Sequence, residues 1–130
     1  MGLGKAIEYF TSHGIPIALP LNDTQKYDLI ADFNGQLQRV SVKTSRHSNT
    51  QGKSYDVALK NCGGSSGKGT IRRFDNTSCD YLFIYTADEN LYLIPAKDIS
   101  ASNAIVVGLK YTEYKVSIKT LKEYAQDLEQ

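Results

Sequence analysis

Residues 27–44, YDLIADFNGQLQRVSVKT, contain two runs of strand-forming residues on either side of the dipeptide Asn34-Gly35. This dipeptide tolerates positive φ at both positions, which is what a two-residue type I′ hairpin turn requires. With the turn at this point, Phe33 faces Gln36 and the two strands pair outward from there. The stretch therefore predicts a β-hairpin with a defined register.

The register has a chemical consequence at the open end of the hairpin. Asp28 is predicted to lie opposite Ser41, and strand alternation returns Lys43 to the same face as Ser41. An acid and an amine then become diagonal neighbours, about 7 Å apart at the backbone. Such a pair suits a Mg²⁺ site in which the lysine orients or deprotonates a water. A surface ion pair worth less than about 1 kcal/mol is the alternative, and spacing alone leaves both open.

The remaining chain predicts an α/β (α+β) domain, a mixed β-sheet flanked by helices, formed by residues 1–130. Leu3, Ala6, Ile7 and Phe10 have the spacing of an amphipathic helix over residues 3–12. The run YLFIY is typical of a strand that is buried on both faces. Further predicted elements are a short strand or connector at 15–19, a polar basic loop at 44–53, strands at 55–59, 81–85, 91–94 and 105–107, and a helix at 118–128.

Composition places the chain among ordinary globular proteins, with 41% hydrophobic and 22% charged residues. No apolar run approaches the roughly 20 residues that span a bilayer, and the first residues lack the pattern of a secretory signal. Cys62 and Cys79 match no zinc-binding spacing, so we interpret them as reduced thiols. These features predict a cytoplasmic protein without membrane association.

The net charge of +1 conceals a strong asymmetry. Residues 36–74 contain eight basic residues and one acidic residue, Asp56, a net charge of +7 that leaves −6 for the rest of the chain. A basic region on an otherwise acidic body predicts a polyanionic partner bound on one side. A scattered, solvated surface is the alternative interpretation.

Other motifs exclude several kinds of site. GGSSGKGT is not a phosphate-binding loop, because Cys62 and Gly69 occupy the positions that require Gly and Ser or Thr. The two histidines, His13 and His47, have no acid or thiol beside them, which argues against a hydrolase triad. Asp80, directly before the YLFIY run, is interpreted as a strand-start residue, with support of an active site as the alternative.

The hairpin and the segments GLGKAIEYFTSHG, PLNDTQKYDLI and RVSVKT resemble the PD-(D/E)xK nuclease superfamily. The similar branch is that of endonucleases associated with group I introns, mostly homing enzymes. Weaker similarity continues through LKNCGGSSGKG, FDNTSCDYLFIY and YLIP, so it covers most of the chain. The resemblance implies a helix followed by a mixed sheet, in agreement with the elements predicted above.

The resemblance also implies roles for individual residues. Asp28 matches the metal-binding aspartate, Lys43 the catalytic lysine, and Val42 the residue whose backbone carbonyl reaches the metal. The position two before the lysine is normally Glu, Asp or Gln, and here it is Ser41, a weaker ligand that can still hold a coordinated water.

The acid that many members carry early in the first helix is also replaced in this chain. Leu3 occupies the matching position, and Glu8 follows one to two turns later. Glu8 is predicted to reach the site only if its side of the helix faces the sheet.

The implied function is that of a Mg²⁺-dependent endonuclease that cuts double-stranded DNA, specifically a sequence-specific homing enzyme. A domain of this size reads a long target only as a homo-oligomer, a dimer or tetramer. Alternatives are a DNA-binding module that no longer cuts and a junction-resolving or repair nuclease. The candidates for contacts with DNA are Arg39, Arg46, His47, Lys53, Lys68, Arg72 and Arg73.

Overall fold

The structure, a computed structural model, describes the backbone and side chains of residues 2–22, 26–45, 54–59, 76–100, 103–119 and 123, and the backbone of 48–49, 61–62 and 71–72. Within this part the chain begins with helix α1, Gly2–Ser12. The strands that follow are β1 (Ile17–Ala18), β2 (Leu29–Phe33), β3 (Gln36–Ser45), β4 (Ser48–Asn49), β5 (Ser54–Ala58), β6 (Asn61–Cys62), β7 (Ile71–Arg72), β8 (Tyr81–Thr86), β9 (Leu91–Pro95), β10 (Ala104–Val107) and β11 (Lys115–Val116).

Most of these strands form one mixed six-stranded sheet in the order β1-β2-β3-β8-β9-β11. Its β3–β8 pair is parallel and its other pairs are antiparallel. A second sheet has the order β10-β5-β4, and β6 pairs with β7. The predicted α/β class with a mixed sheet is confirmed.

The β2–β3 hairpin has the predicted turn and register. Asn34 and Gly35 both adopt positive φ, at 56° and 90°. The carboxylate of Asp32 accepts the Gly35 N–H at 2.6 Å, which closes the turn. The pairs run from Phe33↔Gln36 to Leu29↔Val40, as predicted, and Asp28 lies just before the first paired residue of β2.

Strand β3 lies between β2 and β8 and pairs with each of them over a different part of its length. Its first half, residues 36–40, pairs with β2, whereas residues 40–45 pair in parallel with β8. Because β2 begins only at Leu29, the second half of β3 continues past the start of that strand. The two halves meet at Val40, close to the predicted Asp28–Lys43 pair.

Helix α1 covers one face of the six-stranded sheet. Ala6 and Phe10 are fully buried against a cluster that includes Leu29, Val40 and Phe83. The predicted helical stripe is wrong at Leu3, which is 39% exposed; Tyr9 is buried instead.

The start of α1 lies against the second half of β3. A Cβ atom added to Gly2 would lie 2.5 Å from Thr44 Cγ2 and 3.1 Å from Val42 Cγ1. Glycine therefore allows the helix to begin in close contact with this half of the strand.

The opposite face of the sheet is covered by β5 and β10. Tyr55, Val57 and Leu59 from the region of β5 pack with Leu82 and Ile84 of β8. The apolar run in β8 is buried on both faces, as predicted, because α1 covers Phe83 from the other side. The strands predicted at 55–59, 81–85, 91–94 and 105–107 are confirmed as β5, β8, β9 and β10.

Two sequence predictions have different outcomes. The basic loop predicted at 44–53 is partly strand, because β3 extends through Ser45 and residues 48–49 form β4. Most of the helix predicted at 118–128 lies outside the described residues; residues 118–119 are not helical, whereas residue 123 is helical. Within the described chain, no helix has the length and apolar character needed to cross a membrane.

Candidate active site

Asp28 lies immediately before β2 and is held by two hydrogen bonds to β3. Its N–H donates to the Val40 carbonyl at 2.8 Å. Its carboxylate oxygen Oδ2 accepts the Val42 N–H at 2.6 Å. The side chain is exposed, so one carboxylate oxygen is fixed against β3 while the group remains accessible to a ligand.

The carbonyl of Val42 is directed toward the same edge of β3. In a strand the N–H and C=O of one residue point to the same side, and the side alternates with each residue. The Val40 carbonyl and the Val42 N–H both reach Asp28. The Val42 carbonyl therefore also faces this edge, just past the point where β2 begins, as the family resemblance implies.

Lys43 lies on the same strand, half-buried, with its side chain on the face opposite α1. Burial lowers the pKa of Lys43 below its ordinary value, and the nearby Asp28 carboxylate offsets part of that shift. A lysine with a lowered pKa is easier to deprotonate, which suits an amine that exchanges protons with water. The structure thus brings the predicted acid and amine together.

Ser41 lies between these groups but is not directed toward solvent. It is only 4% exposed, and its hydroxyl donates to the Lys26 carbonyl at 2.7 Å. Burial raises the pKa of the nearby Cys79 thiol, and Ser41 and Arg39 offset part of that shift. Ser41 is therefore engaged with the protein itself, which makes it a poor candidate for a metal ligand.

Arg39, a predicted DNA contact, is paired within the protein. Its Nε lies 3.3 Å from the Asp80 carboxylate, and its Nη2 donates to the Thr77 carbonyl at 3.0 Å. Partial burial raises the pKa of Asp80, but hydrogen bonds from the backbone and side chain of Arg39, with its charge, bring the net pKa below the ordinary value. The preferred interpretation of Asp80 as a structural residue agrees with this pairing.

Glu8 does not join the site. It is exposed and lies 3.6 Å from Lys5, on a helix that packs on the face of the sheet opposite Lys43. The side of α1 that carries Glu8 is turned to solvent, so the condition for its catalytic role is not met. Leu3, at the position where the family resemblance implies an acid, is also partly exposed and cannot ligate a metal.

Most of the predicted DNA contacts cannot be located relative to this site. Arg46, His47, Lys53, Lys68 and Arg73 lie outside the described residues. For Arg72 the structure describes the backbone, which belongs to β7.

The donor set near Asp28 fits a magnesium ion that shares its coordination with substrate. The described residues contain no cluster of three or more His, Cys, Asp or Glu side chains able to hold a metal. Magnesium in nucleotide and polymerase sites commonly uses one or two carboxylates together with waters and substrate phosphates. Asp28 and the Val42 carbonyl are the groups on this edge that suit such a site.

Sequence reasoning missed the surroundings of Ser41. Cys79 and the Lys26 carbonyl approach Ser41 because β8 pairs in parallel with β3 and because residue 26 lies just before Asp28. The run YLFIY predicted a buried strand but not its neighbour, and no local pattern linked Cys79 to position 41. The pairing of Arg39 with Asp80 depends on the same parallel contact.

Comparison with known proteins agrees with this fold. The chain is similar to the structure of a bacterial homing endonuclease, I-Ssp6803I, with 26% sequence identity and a TM-score of 0.68, over 82% of this chain and 72% of that chain. A search of curated proteins found no match. Residues 2–128 match the family described as PD-(D/E)XK endonuclease, which is nearly the whole chain. The chain belongs to the PD-(D/E)XK endonuclease family.

Proposed function

We propose that the protein is a metal-dependent endonuclease that hydrolyses phosphodiester bonds in double-stranded DNA at a specific sequence, as a homing enzyme does. The observation that carries the proposal is the joining of Asp28, the Val42 carbonyl and Lys43 at the edge of β3. Membership of the endonuclease family and the likeness to a homing endonuclease support it.

Asp28 and the Val42 carbonyl are the groups that would hold Mg²⁺. The ion would supply positive charge against the oxygens of the scissile phosphate. The Val42 N–H donates to one oxygen of Asp28, which fixes the carboxylate in one orientation and reduces the reorganisation needed when a ligand binds.

Lys43 would act on the attacking water. Its lowered pKa increases the fraction of neutral amine, which can accept a proton as the water oxygen bonds to phosphorus. The bond from phosphorus to the 3′ oxygen then breaks, and that oxygen takes up a proton. This bond cleavage leaves 5′-phosphate and 3′-hydroxyl ends.

Recognition of a target would depend on the basic region at 36–74. Its net charge of +7 favours binding to the DNA backbone, and a few contacts to base edges would give specificity. Because one domain of 130 residues covers only a short stretch of DNA, the active assembly would be a homo-oligomer. Light scattering of the free protein and of its DNA complex would measure the oligomer size.

Cleavage of DNA by active-site variants tests the assignment of residues. Purified protein is incubated with Mg²⁺ and DNA from a candidate target, and single-turnover rates are compared for the parent, Asp28→Ala and Lys43→Ala. We expect Lys43→Ala to be slower by about 10²- to 10⁴-fold, the usual contribution of a positioned proton-transfer group, and Asp28→Ala to be slower because it removes the metal-binding carboxylate.

A matched control separates loss of the site from loss of positive charge. Lys115 shares a row of the same sheet with Lys43, through the register of β8 and β9, and lies three strands away. Lys115→Ala should therefore cut at the parent's rate. If Asp28→Ala and Lys43→Ala also cut at that rate, the assignment is wrong.

A DNA-binding module without nuclease activity is the second candidate, because Ser41 replaces a carboxylate or amide and is bonded to Lys26. This alternative predicts DNA binding that weakens steeply with salt, without cleavage in Mg²⁺ or Mn²⁺. Gain of cleavage in Ser41→Gln would indicate a site that has lost activity.

A further inference from the structure

Ser41 is a short hydroxyl residue at a position where the family resemblance implies Glu, Asp or Gln. It lies on β3 and is only 4% exposed. Burial of a hydroxyl is costly unless the group has a hydrogen-bond partner. The partner is the carbonyl of Lys26, to which the Ser41 hydroxyl donates at 2.7 Å. The side chain therefore holds another part of the backbone.

The segment that receives this bond leads directly into the candidate metal ligand. Lys26 and Asp28 both precede β2, and the paired register of the hairpin starts only at Leu29↔Val40. Asp28 is exposed, so packing contributes little to its position. Its placement depends on hydrogen bonds to β3.

Successive residues of β3 supply these hydrogen bonds. The Val40 carbonyl accepts the Asp28 N–H at 2.8 Å, and the Val42 N–H donates to Asp28 Oδ2 at 2.6 Å. Ser41, between them, bonds to Lys26 and so holds the other end of residues 26–28. Its bond is made by a side chain of β3, whereas the other two use the backbone of β3. A substitution can therefore remove the Ser41 bond alone.

We propose that Ser41 is a positioning residue of the active site, whose hydroxyl holds Lys26 against β3 and thereby keeps Asp28 in place. In this arrangement Ser41 supports a metal ligand from within the protein and is not itself a ligand. The inference rests on the proposed nuclease function for its effect on rate. Its effect on the backbone at Asp28 is independent of that function.

Variants at Ser41 test the inference by two measurements. One is the maximal single-turnover rate of DNA cleavage with Mg²⁺, together with the half-saturating protein concentration. The other is hydrogen exchange of the Asp28 amide by NMR without metal or DNA, which loss of a metal ligand would not change.

Ser41→Ala should lower the maximal rate by about tenfold to 100-fold, with the half-saturating concentration unchanged, because Asp28 is less well placed. It should also speed exchange of the Asp28 amide by about threefold to tenfold, the effect of losing one hydrogen bond. Ser41→Thr keeps the hydroxyl, so it should restore both values to within about twofold of the parent.

Ser45→Ala is the matched control. Ser45 is a second buried serine of β3, 6% exposed, and its hydroxyl donates to the carbonyl of Asp56 on β5. The variant loses the same kind of bond, but to the second sheet and not to residues 26–28. It should leave the cleavage rate and the Asp28 exchange at the parent's values, at a temperature where every variant is folded.

Parent-like exchange of the Asp28 amide in Ser41→Ala would overturn the inference. Equal effects in Ser45→Ala and Ser41→Ala, or in Ser41→Thr and Ser41→Ala, would also overturn it. If the parent does not cleave DNA, the proposed function fails, and the exchange measurement still decides whether Ser41 holds Asp28.

Discussion

The two halves of β3 are paired with strands that lie at different distances along the chain. Residues 36–40 pair with β2 across a two-residue turn, so their partners are close in sequence. Residues 40–45 pair in parallel with β8, about 40 residues later in the chain. Asp28, Val42 and Lys43 lie where one half ends and the other begins. A locally folded hairpin thus supplies the acid, and a long-range parallel pair fixes the strand that carries the amine.

Truncation of Phe83 should disrupt the packing of the second half of β3 against β8 and give the largest loss of stability. Phe83 is fully buried in β8, pairs with Val42 and contacts the rings of Tyr9 and Phe10. Phe83→Ala should lower the free energy of unfolding by about 3–5 kcal/mol. Urea unfolding followed by circular dichroism measures this change.

The control for that variant lies on the first half of β3. Leu37 is 67% exposed, so Leu37→Ala should change the free energy of unfolding by less than about 0.5 kcal/mol. A similar loss in both variants would contradict the difference between the two halves of β3.

A substitution in the turn that leads into the first half of β3 should lower the free energy of unfolding by less than Phe83→Ala does. Gly35 has a φ of 90°, where an L side chain is strained, so Gly35→Ala should cost about 1–2 kcal/mol. Gly4 has open space around it within α1, so Gly4→Ala should instead stabilise by about 0.5–1 kcal/mol. The opposite signs can be checked by thermal unfolding of both variants. Stabilisation by Gly35→Ala would contradict the type I′ turn.

The ion pair between Arg39 and Asp80 joins the two halves and should give the smallest effect. The folded-state pKa of Asp80 is lowered, so the pair stabilises the fold above the ordinary aspartate pKa. This contribution is lost as pH falls through the lowered pKa, below about 4. Because both side chains are more than 30% exposed, Asp80→Asn should cost no more than about 1 kcal/mol at pH 7.

The difference in stability between the parent and Asp80→Asn is measured as a function of pH. Melting temperatures of the parent and Asp80→Asn should converge as the pH is lowered from 7 to 3. A difference that grows toward acid pH would have the wrong sign for a carboxylate with a lowered pKa.

The contrast between the halves also explains how much could be predicted from sequence. The turn at Asn34-Gly35, the register of β2 with β3, and the shared face of Ser41 and Lys43 follow from local rules of turn and strand geometry. The neighbour of β8 does not, because a buried apolar run carries no information about which strand pairs with it. For that reason the Cys79–Ser41 contact and the Arg39–Asp80 pair were not predicted.

The buried positions of helix α1 were also only partly predictable from the sequence. Its existence followed from apolar spacing, but the spacing did not distinguish Leu3 from Tyr9 as a buried position. The choice depends on how the helix packs on the sheet, which is a set of tertiary contacts. The same packing leaves Glu8 exposed, so the sequence could not decide whether an acid on α1 reached the site.

The central claim is that Asp28 and Lys43, joined where the two halves of β3 meet, act as one unit in DNA cleavage. Single-turnover cleavage with Mg²⁺ by the parent, Asp28→Ala, Lys43→Ala and the double variant tests it most directly. Residues that act together lose little more in combination, so we predict that the double variant is about as slow as the slower single variant. Losses that multiply in the double variant, or a single variant that cuts at the parent's rate, would contradict the claim.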